Sequence, residues 1–228
     1  MLLQGVLAGE WWAMWVKICG TTSLEDAQLA VDAGADAIGF VFGPSRRQVT
    51  ADAVAAITRA LPERVEKVGV FVGETAAQID AVVRTAGLTG VQLQGDEPTE
   101  FADALRPLGL RLLIRTVWAS ADVETLAARV EAGLPGADAI LLDSGSAAIR
   151  GGTGTRFDWT EAAAQLSQVG GGVRVIVAGG LNPSNVSTAV AALRPWGVDV
   201  ASGVEREPGR KDPEKVRAFV AAARLTPP

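Results

Sequence analysis

The sequence predicts a closed barrel of eight parallel strands, each followed by a helix: a single-domain α/β protein of the (βα)8, or TIM barrel, class. Three observations carry that expectation. Short β-branched and apolar runs alternate with longer Ala-rich amphipathic segments eight times along the 228 residues. The repeating unit is only about 25 residues long, which favours eight units closing on themselves over six forming an open, doubly wound sheet. No GxGxxG fingerprint follows the first strand, so the usual signature of an open dinucleotide-binding sheet is missing.

Taken in order, the first unit pairs VKIC at 16–19 with a helix at 24–33. The second pairs AIGFVF at 37–42 with a helix at 51–61 that Thr50 can cap, and the third pairs VGVFV at 68–72 with a helix at 76–86. GVQL at 90–93 and a helix at 99–106 make the fourth. RLLIRTV at 111–117 leads to a helix at 122–132 opened by Asp122, and AILLD at 139–143 to one at 159–168 opened by Asp158. The seventh unit joins VRVIVA at 173–178 to a helix at 183–193. The eighth joins VDVA at 198–201 to a helix at 213–223, with Asp212 as its cap and Pro213 in the first helical position. The segment before the first strand, MLLQGVLAGEWWA at 1–13, has no basic opening and contains Glu10, so it makes a poor secretory signal. It reads as a leader or a mis-assigned start, with the barrel at 14–228.

Composition narrows the chemistry. Nearly half of the residues are apolar, enough to bury a substantial core, and the net charge of −5 with no basic run argues against binding nucleic acid. No apolar run is long enough to span a bilayer, and a single cysteine fits a reducing compartment, so the expected location is the cytoplasm. Histidine is absent. Imidazole is the commonest acid and base at neutral pH and a common zinc ligand, so proton transfer is left to carboxylates and the thiol, with no metal expected.

In such a barrel the functional groups gather at the C-terminal ends of the strands. The first strand ends VKICG; if Cys19 points inward, period-2 alternation puts Lys17 on the same side, one layer deeper. The sixth ends ILLDSG and brings Asp143 to the rim. Cys19 and Asp143 are therefore a candidate base and acid, provided a nearby cation lowers the thiol pKa and apolar neighbours keep a proton on the carboxyl. The plainer alternatives are a small buried hydrophobe for Cys19 and a loop cap for Asp143. Three glycine-rich loops, RGGTGTRFDW, AGGLNPSNV and ASGVEREPG, follow the sixth, seventh and eighth strands. Glycines such as Gly152, Gly154, Gly179, Gly180 and Gly203 let backbone N–H groups approach an anion. Ser202 and Gly203 open a short helix there, so these loops form a candidate phosphate site.

From residue 14 onward the chain resembles the phosphoribosylanthranilate isomerase family. The resemblance rests on an ordered set of segments: VKICGTT, GADAIGFVF followed by SRR, VGVFV, VQLQG, LLDSG, GGTGTRFDW, AGGLNPSNV, and VDVASGVE with PGRKD. It implies a cofactor-free Amadori rearrangement of phosphoribosylanthranilate to 1-(2-carboxyphenylamino)-1-deoxyribulose 5-phosphate in tryptophan biosynthesis. By that resemblance Asp143 protonates the ribose ring oxygen, Cys19 removes the C2′ proton, Arg47 engages the anthranilate carboxylate, and Asp199 lies near the aromatic amine. Asp199 could instead merely organise the last loops. Arg46 is expected to face solvent, and Trp11, Trp12 and Trp15 to be surface or packing residues. One departure stands out: Gln94 occupies the place of the family's usual histidine, giving QLQG. The resemblance leaves monomer and homodimer both open. Rival readings are a Schiff-base aldolase using Lys17, a dual-substrate isomerase that also serves histidine biosynthesis, and a non-catalytic phosphate-binding barrel.

Overall fold

The computed structural model describes residues 14–95, 97–98, 100–119, 125–144, 158–170 and 172–225. Eight strands follow one another round a closed, all-parallel barrel: β1 (Trp15–Ile18), β2 (Ala37–Val41), β3 (Glu66–Phe71), β4 (Gly90–Leu93), β5 (Leu112–Trp118), β6 (Ala139–Asp143), β7 (Val175–Val177) and β8 (Gly197–Val200). The helices are α1 (Leu24–Asp32), α2 (Ala51–Thr58), α3 (Ala76–Ala86), α4 (Phe101–Leu105), α5 (Leu126–Gly133), α6 (Trp159–Leu166), α7 (Val186–Leu193) and α8 (Pro213–Leu225). The expected architecture is the observed one. Between β8 and α8 the chain adds a 3-10 turn (Ser202–Val204) and a two-stranded antiparallel hairpin, β9 (Glu205–Glu207) and β10 (Arg210–Lys211).

Local chemistry explains both the agreements and the differences. Thr50 accepts from the Ala53 amide, Asp158 from those of Thr160 and Glu161, and Asp212 from those of Glu214 and Lys215, as their positions before apolar helices foretell. Asp122 lies outside the described residues, and the cap of α5 is instead Thr125, which accepts from Ala128. The fourth helix is shorter than expected: Pro107 has no N–H to continue the α ladder, and the chain tightens into a 3-10 turn (Arg106–Leu108) ended by Gly109 at φ 65°. The seventh begins at Val186 rather than 183, because the Asn185 carboxamide folds back to accept from the Asn182 amide and shapes a separate turn.

Period-2 alternation divides the buried apolar residues between two cores, one under the helices and one inside the barrel. Val16, Ile18, Val91, Leu93, Ile140, Leu142, Val198 and Val200 face outward and pack under the helices. Ala37, Val68, Leu112, Ile114, Ala139, Leu141, Ile176 and Ala178 fill the barrel interior. Trp15 stacks on Trp196 against that inner cluster, ring centroids 4.9 Å apart, so it is the packing residue expected. Trp11 and Trp12 lie outside the described residues.

At the opposite end from the site, a repeated GADA segment ties strands together. Asp36 precedes β2 and accepts from the Val16 amide of β1 at 2.8 Å; Asp138 precedes β6 and accepts from the Leu113 amide of β5 at 2.7 Å. Among the described residues, no helix is long and apolar enough to cross a membrane.

Candidate active site

The inner registers of the strands decide which side chains reach the C-terminal mouth. On β6 the inward residues Ala139 and Leu141 are followed, two further on, by Asp143. On β1 the same step leads from Lys17 to Cys19, and Gly39 on the adjacent strand makes room for both. A Cβ at Gly39 would lie 2.7 Å from Cys19 Sγ and 3.1 Å from Lys17 Cε. Cys19, Asp143, Asp199 and Arg47 all line one cavity of about 260 Å³, together with Gly179, Gly180, Ser202 and Gly203. Residues distant in sequence, expected to share a site, are thus brought together. Gly152 and Gly154 lie outside the described residues.

Beneath the thiol, Lys17 is wholly buried and donates to Asp199 Oδ1 at 2.9 Å across the β1–β8 junction. Burial disfavours its charge, but the Asp199 carboxylate and the neighbouring Cys19 outweigh that, and the Lys17 pKa lies above its ordinary value. An ion-paired ammonium sealed from solvent is unsuited to Schiff-base formation, which removes the aldolase reading of this residue. Cys19 behaves differently from expectation. Burial pushes its thiol pKa up, the Asp199 carboxylate adds to the rise, and the ammonium groups of Lys17 and Lys211 only partly offset it. The resting group is a thiol rather than a thiolate at neutral pH.

Arg47 lies over Gly20, where an added Cβ would collide with its Cδ. Its Nε and Nη2 donate to the two oxygens of Glu205 at 2.8 and 2.6 Å. The Glu205 Oε1 also accepts from Lys211 Nζ at 2.9 Å, and Lys211 in turn reaches the Cys19 carbonyl at 2.5 Å. Burial opposes the Glu205 carboxylate, yet Arg47 and Lys211 hold its pKa below the ordinary value. Arg46, by contrast, is exposed, as expected.

Ser144 at the end of β6 and the loops after β7 and β8 converge. A Cβ at Gly179 would meet Ser144 N at 2.5 Å, one at Gly203 would run into the Leu181 carbonyl, and Gly179 and Gly180 hold φ values of 80° and 66°. Ordinary side chains would push these loops apart, so the glycines draw backbone amides to one rim of the cavity. On the far side of the mouth Gln92 Nε2 donates to Gln94 Oε1 at 2.6 Å, and Thr116 Oγ1 donates to the same oxygen at 3.3 Å. Buried Gln92 Oε1 is left without a partner among the described residues. Gln94, the residue in place of the family's usual histidine, therefore orients Gln92. Among the described residues no group of His, Cys, Asp and Glu could hold a metal.

Sequence reasoning did not single out Glu205, Lys211 or Gln92. All three lay inside the quoted segments, VDVASGVE, PGRKD and VQLQG, but their value comes from contacts across strands that spacing alone does not reveal.

The chain is similar to known proteins along most of its length. Residues 16–222 match the family model described as N-(5'phosphoribosyl)anthranilate (PRA) isomerase. An N-(5'-phosphoribosyl)anthranilate isomerase of Citrifermentans bemidjiense is 47% identical over 213 residues, covering 92% of this chain and 96% of its own. The crystal structure of the Thermus thermophilus phosphoribosyl anthranilate isomerase superposes with a TM-score of 0.79 at 39% identity, covering 92% of this chain and 98% of its own. A further structure of such an isomerase, in complex with reduced 1-(o-carboxyphenylamino)-1-deoxyribulose 5-phosphate, gives a TM-score of 0.77 at 36% identity, with the same coverage.

Proposed function

The chain belongs to the N-(5'-phosphoribosyl)anthranilate isomerase family, and we propose that it carries out the family's rearrangement with Asp143 as acid and Cys19 as base. It is an aldose–ketose isomerase of tryptophan biosynthesis acting on phosphoribosylanthranilate. Asp143 gives a proton to the ribose ring oxygen as the lone pair of the aromatic amine breaks the C1′–O bond, leaving a protonated imine. Cys19, as thiolate, takes the C2′ proton, and the C–H electrons flow to the imine nitrogen to form an enolamine. Tautomerisation of the enol gives the ketose. Every step moves a proton between groups at the cavity mouth, which acid and base residues can serve without a redox partner.

The phosphate is held by the amides around Gly179, Gly180, Ser202 and Gly203. Arg47 takes the anthranilate carboxylate, and Asp199 lies at the amine, its other face engaged by Lys17. Gln92 Oε1, buried and unpaired among the described residues, accepts from a hydroxyl of the sugar. The enzyme is placed in the cytoplasm, where its lone cysteine stays reduced.

The observation that carries the reading is the opening of Cys19, from the first strand, and Asp143, from the sixth, onto one cavity rimmed by the late glycine loops. The test is steady-state turnover of freshly made phosphoribosylanthranilate, followed by the loss of its fluorescence. Turnover that Asp143→Asn and Cys19→Ala both leave nearly intact would overturn the assignment of acid and base.

A further inference from the structure

Arg47 lines the cavity with only part of its guanidinium committed to a partner. Its Nε and one hydrogen of Nη2 are committed to Glu205, and no hydrogen bond among the described residues uses Nη1. The edge formed by Nη1 and the remaining Nη2 hydrogen is therefore free, and it has the two-point geometry that a planar carboxylate takes. A lone arginine in a surface loop would sample many rotamers. Here Gly20 beneath it and Glu205 behind it leave one position.

Charge makes the arrangement more than a support. Glu205 alone would cancel Arg47 and leave nothing to attract an anion. Lys211 supplies a second cation: burial lowers its pKa and Glu205 opposes that, and it donates to Glu205 Oε1, the Cys19 carbonyl and the Ala201 carbonyl, three acceptors that call for three ammonium hydrogens. Two cations against one carboxylate leave the group at +1. One incoming carboxylate balances it.

We propose that Arg47, Glu205 and Lys211 form a preassembled receptor for the aryl carboxylate, in which Glu205 and Lys211 are the positioning residues that make the enzyme select carboxylated over uncarboxylated aromatic amines. This rests on the reading of Arg47 as the carboxylate contact. Because Lys211 also holds the Cys19 carbonyl, the same group fixes the distance between the aryl ring and the base.

The experiment compares kcat/KM for phosphoribosylanthranilate with that for the phosphoribosyl adduct of aniline, which lacks only the ring carboxylate. The full-length enzyme is measured beside Arg47→Ala, Glu205→Gln and Lys211→Met. The wild type prefers the carboxylated substrate, Arg47→Ala abolishes the preference, and Glu205→Gln and Lys211→Met each cut it by roughly tenfold, equivalent to about 1.4 kcal/mol. The aniline adduct reports the losses common to both substrates, including any that Lys211→Met causes through Cys19, so the readout is the ratio of the two substrates and not either rate alone. Equal losses on both substrates in Glu205→Gln and Lys211→Met would make these residues merely structural and overturn the inference. A greater preference in Glu205→Gln would show that added positive charge, not held geometry, sets selectivity, and would overturn the positioning role. An unchanged preference in those two variants alongside its collapse in Arg47→Ala would defeat the inference alone, whereas a preference that survives Arg47→Ala would defeat the underlying reading of Arg47.

Discussion

Burial and charge pull the Cys19 thiol in opposite directions, and burial is the stronger. As the proposed base works only as thiolate, kcat/KM should climb as pH rises through neutrality into the alkaline range rather than level off near pH 7. Groups facing the sulfur set that limb: Lys17 and Lys211 lower the thiol pKa, and Asp199 raises it. Lys17→Met removes the largest of the lowering influences, so the limb should move to still higher pH; a profile flat from neutrality upward in both proteins would remove Cys19 from the role. Cys19→Ala and Asp143→Asn should each depress kcat by roughly 10²-fold or more with little change in substrate affinity, since each deletes a proton transfer made in the transition state. Binding of a reduced product analogue, measured by calorimetry, checks the affinity half of that statement.

Polar ties at the N-terminal ends of the strands, far from the cavity, join β1 to the start of β2 through Asp36 and β5 to the start of β6 through Asp138. Asp138 accepts from the Leu113 amide where β5 begins. Asp138→Ala leaves that N–H without its partner, at a cost of about 1–3 kcal/mol. The variant should melt at lower temperature yet keep its kcat, because the tie lies at the other end of the barrel from Cys19 and Asp143; a lower kcat with unchanged stability would contradict this division between the two ends. At this scale most of the fold could be read beforehand. A strand buried on both faces writes itself as a short apolar run, and Thr50, Asp158, Asp212 and Pro213 announce their helices through backbone chemistry that needs no tertiary context. What escaped were features made by contacts across the chain. The β9–β10 hairpin contains charged residues that look like an exposed loop until Lys211 is seen buried against Glu205. The same holds within the site: Cys19 and Asp143 follow from alternation along single strands, whereas the raised thiol pKa depends on how deeply the closed barrel buries the sulfur. Periodicity reports a direction, not a depth.

Closure of the whole barrel brings the two ends of the chain side by side, and the Lys17–Asp199 pair spans that junction, linking the first strand to the last. Its charge is a matter of linkage. Lys17 has a folded pKa above its ordinary value, so the folded protein binds the proton more tightly than the unfolded chain does. The pair's contribution is therefore fully present below the ordinary lysine pKa and is lost as pH rises through the folded one. Asp199→Asn inverts this. With the carboxylate gone, burial, the largest influence on Lys17, lowers its pKa, and the unfolded chain becomes the better proton binder. The variant should then lose about 3–5 kcal/mol near neutrality, the usual consequence of stranding a buried charge, and recover stability as pH climbs toward the ordinary lysine pKa. Denaturant midpoints measured from neutral to alkaline pH should fall for the wild type and rise for the variant. The double replacement Lys17→Met with Asp199→Asn removes both charges with little change of volume, so it should restore much of the stability while leaving turnover impaired, since the thiol has lost one of its two cations and the proposed amine contact its carboxylate. Midpoints that move in parallel with pH in wild type and Asp199→Asn would mean that the pair neither closes the barrel nor holds the Lys17 proton.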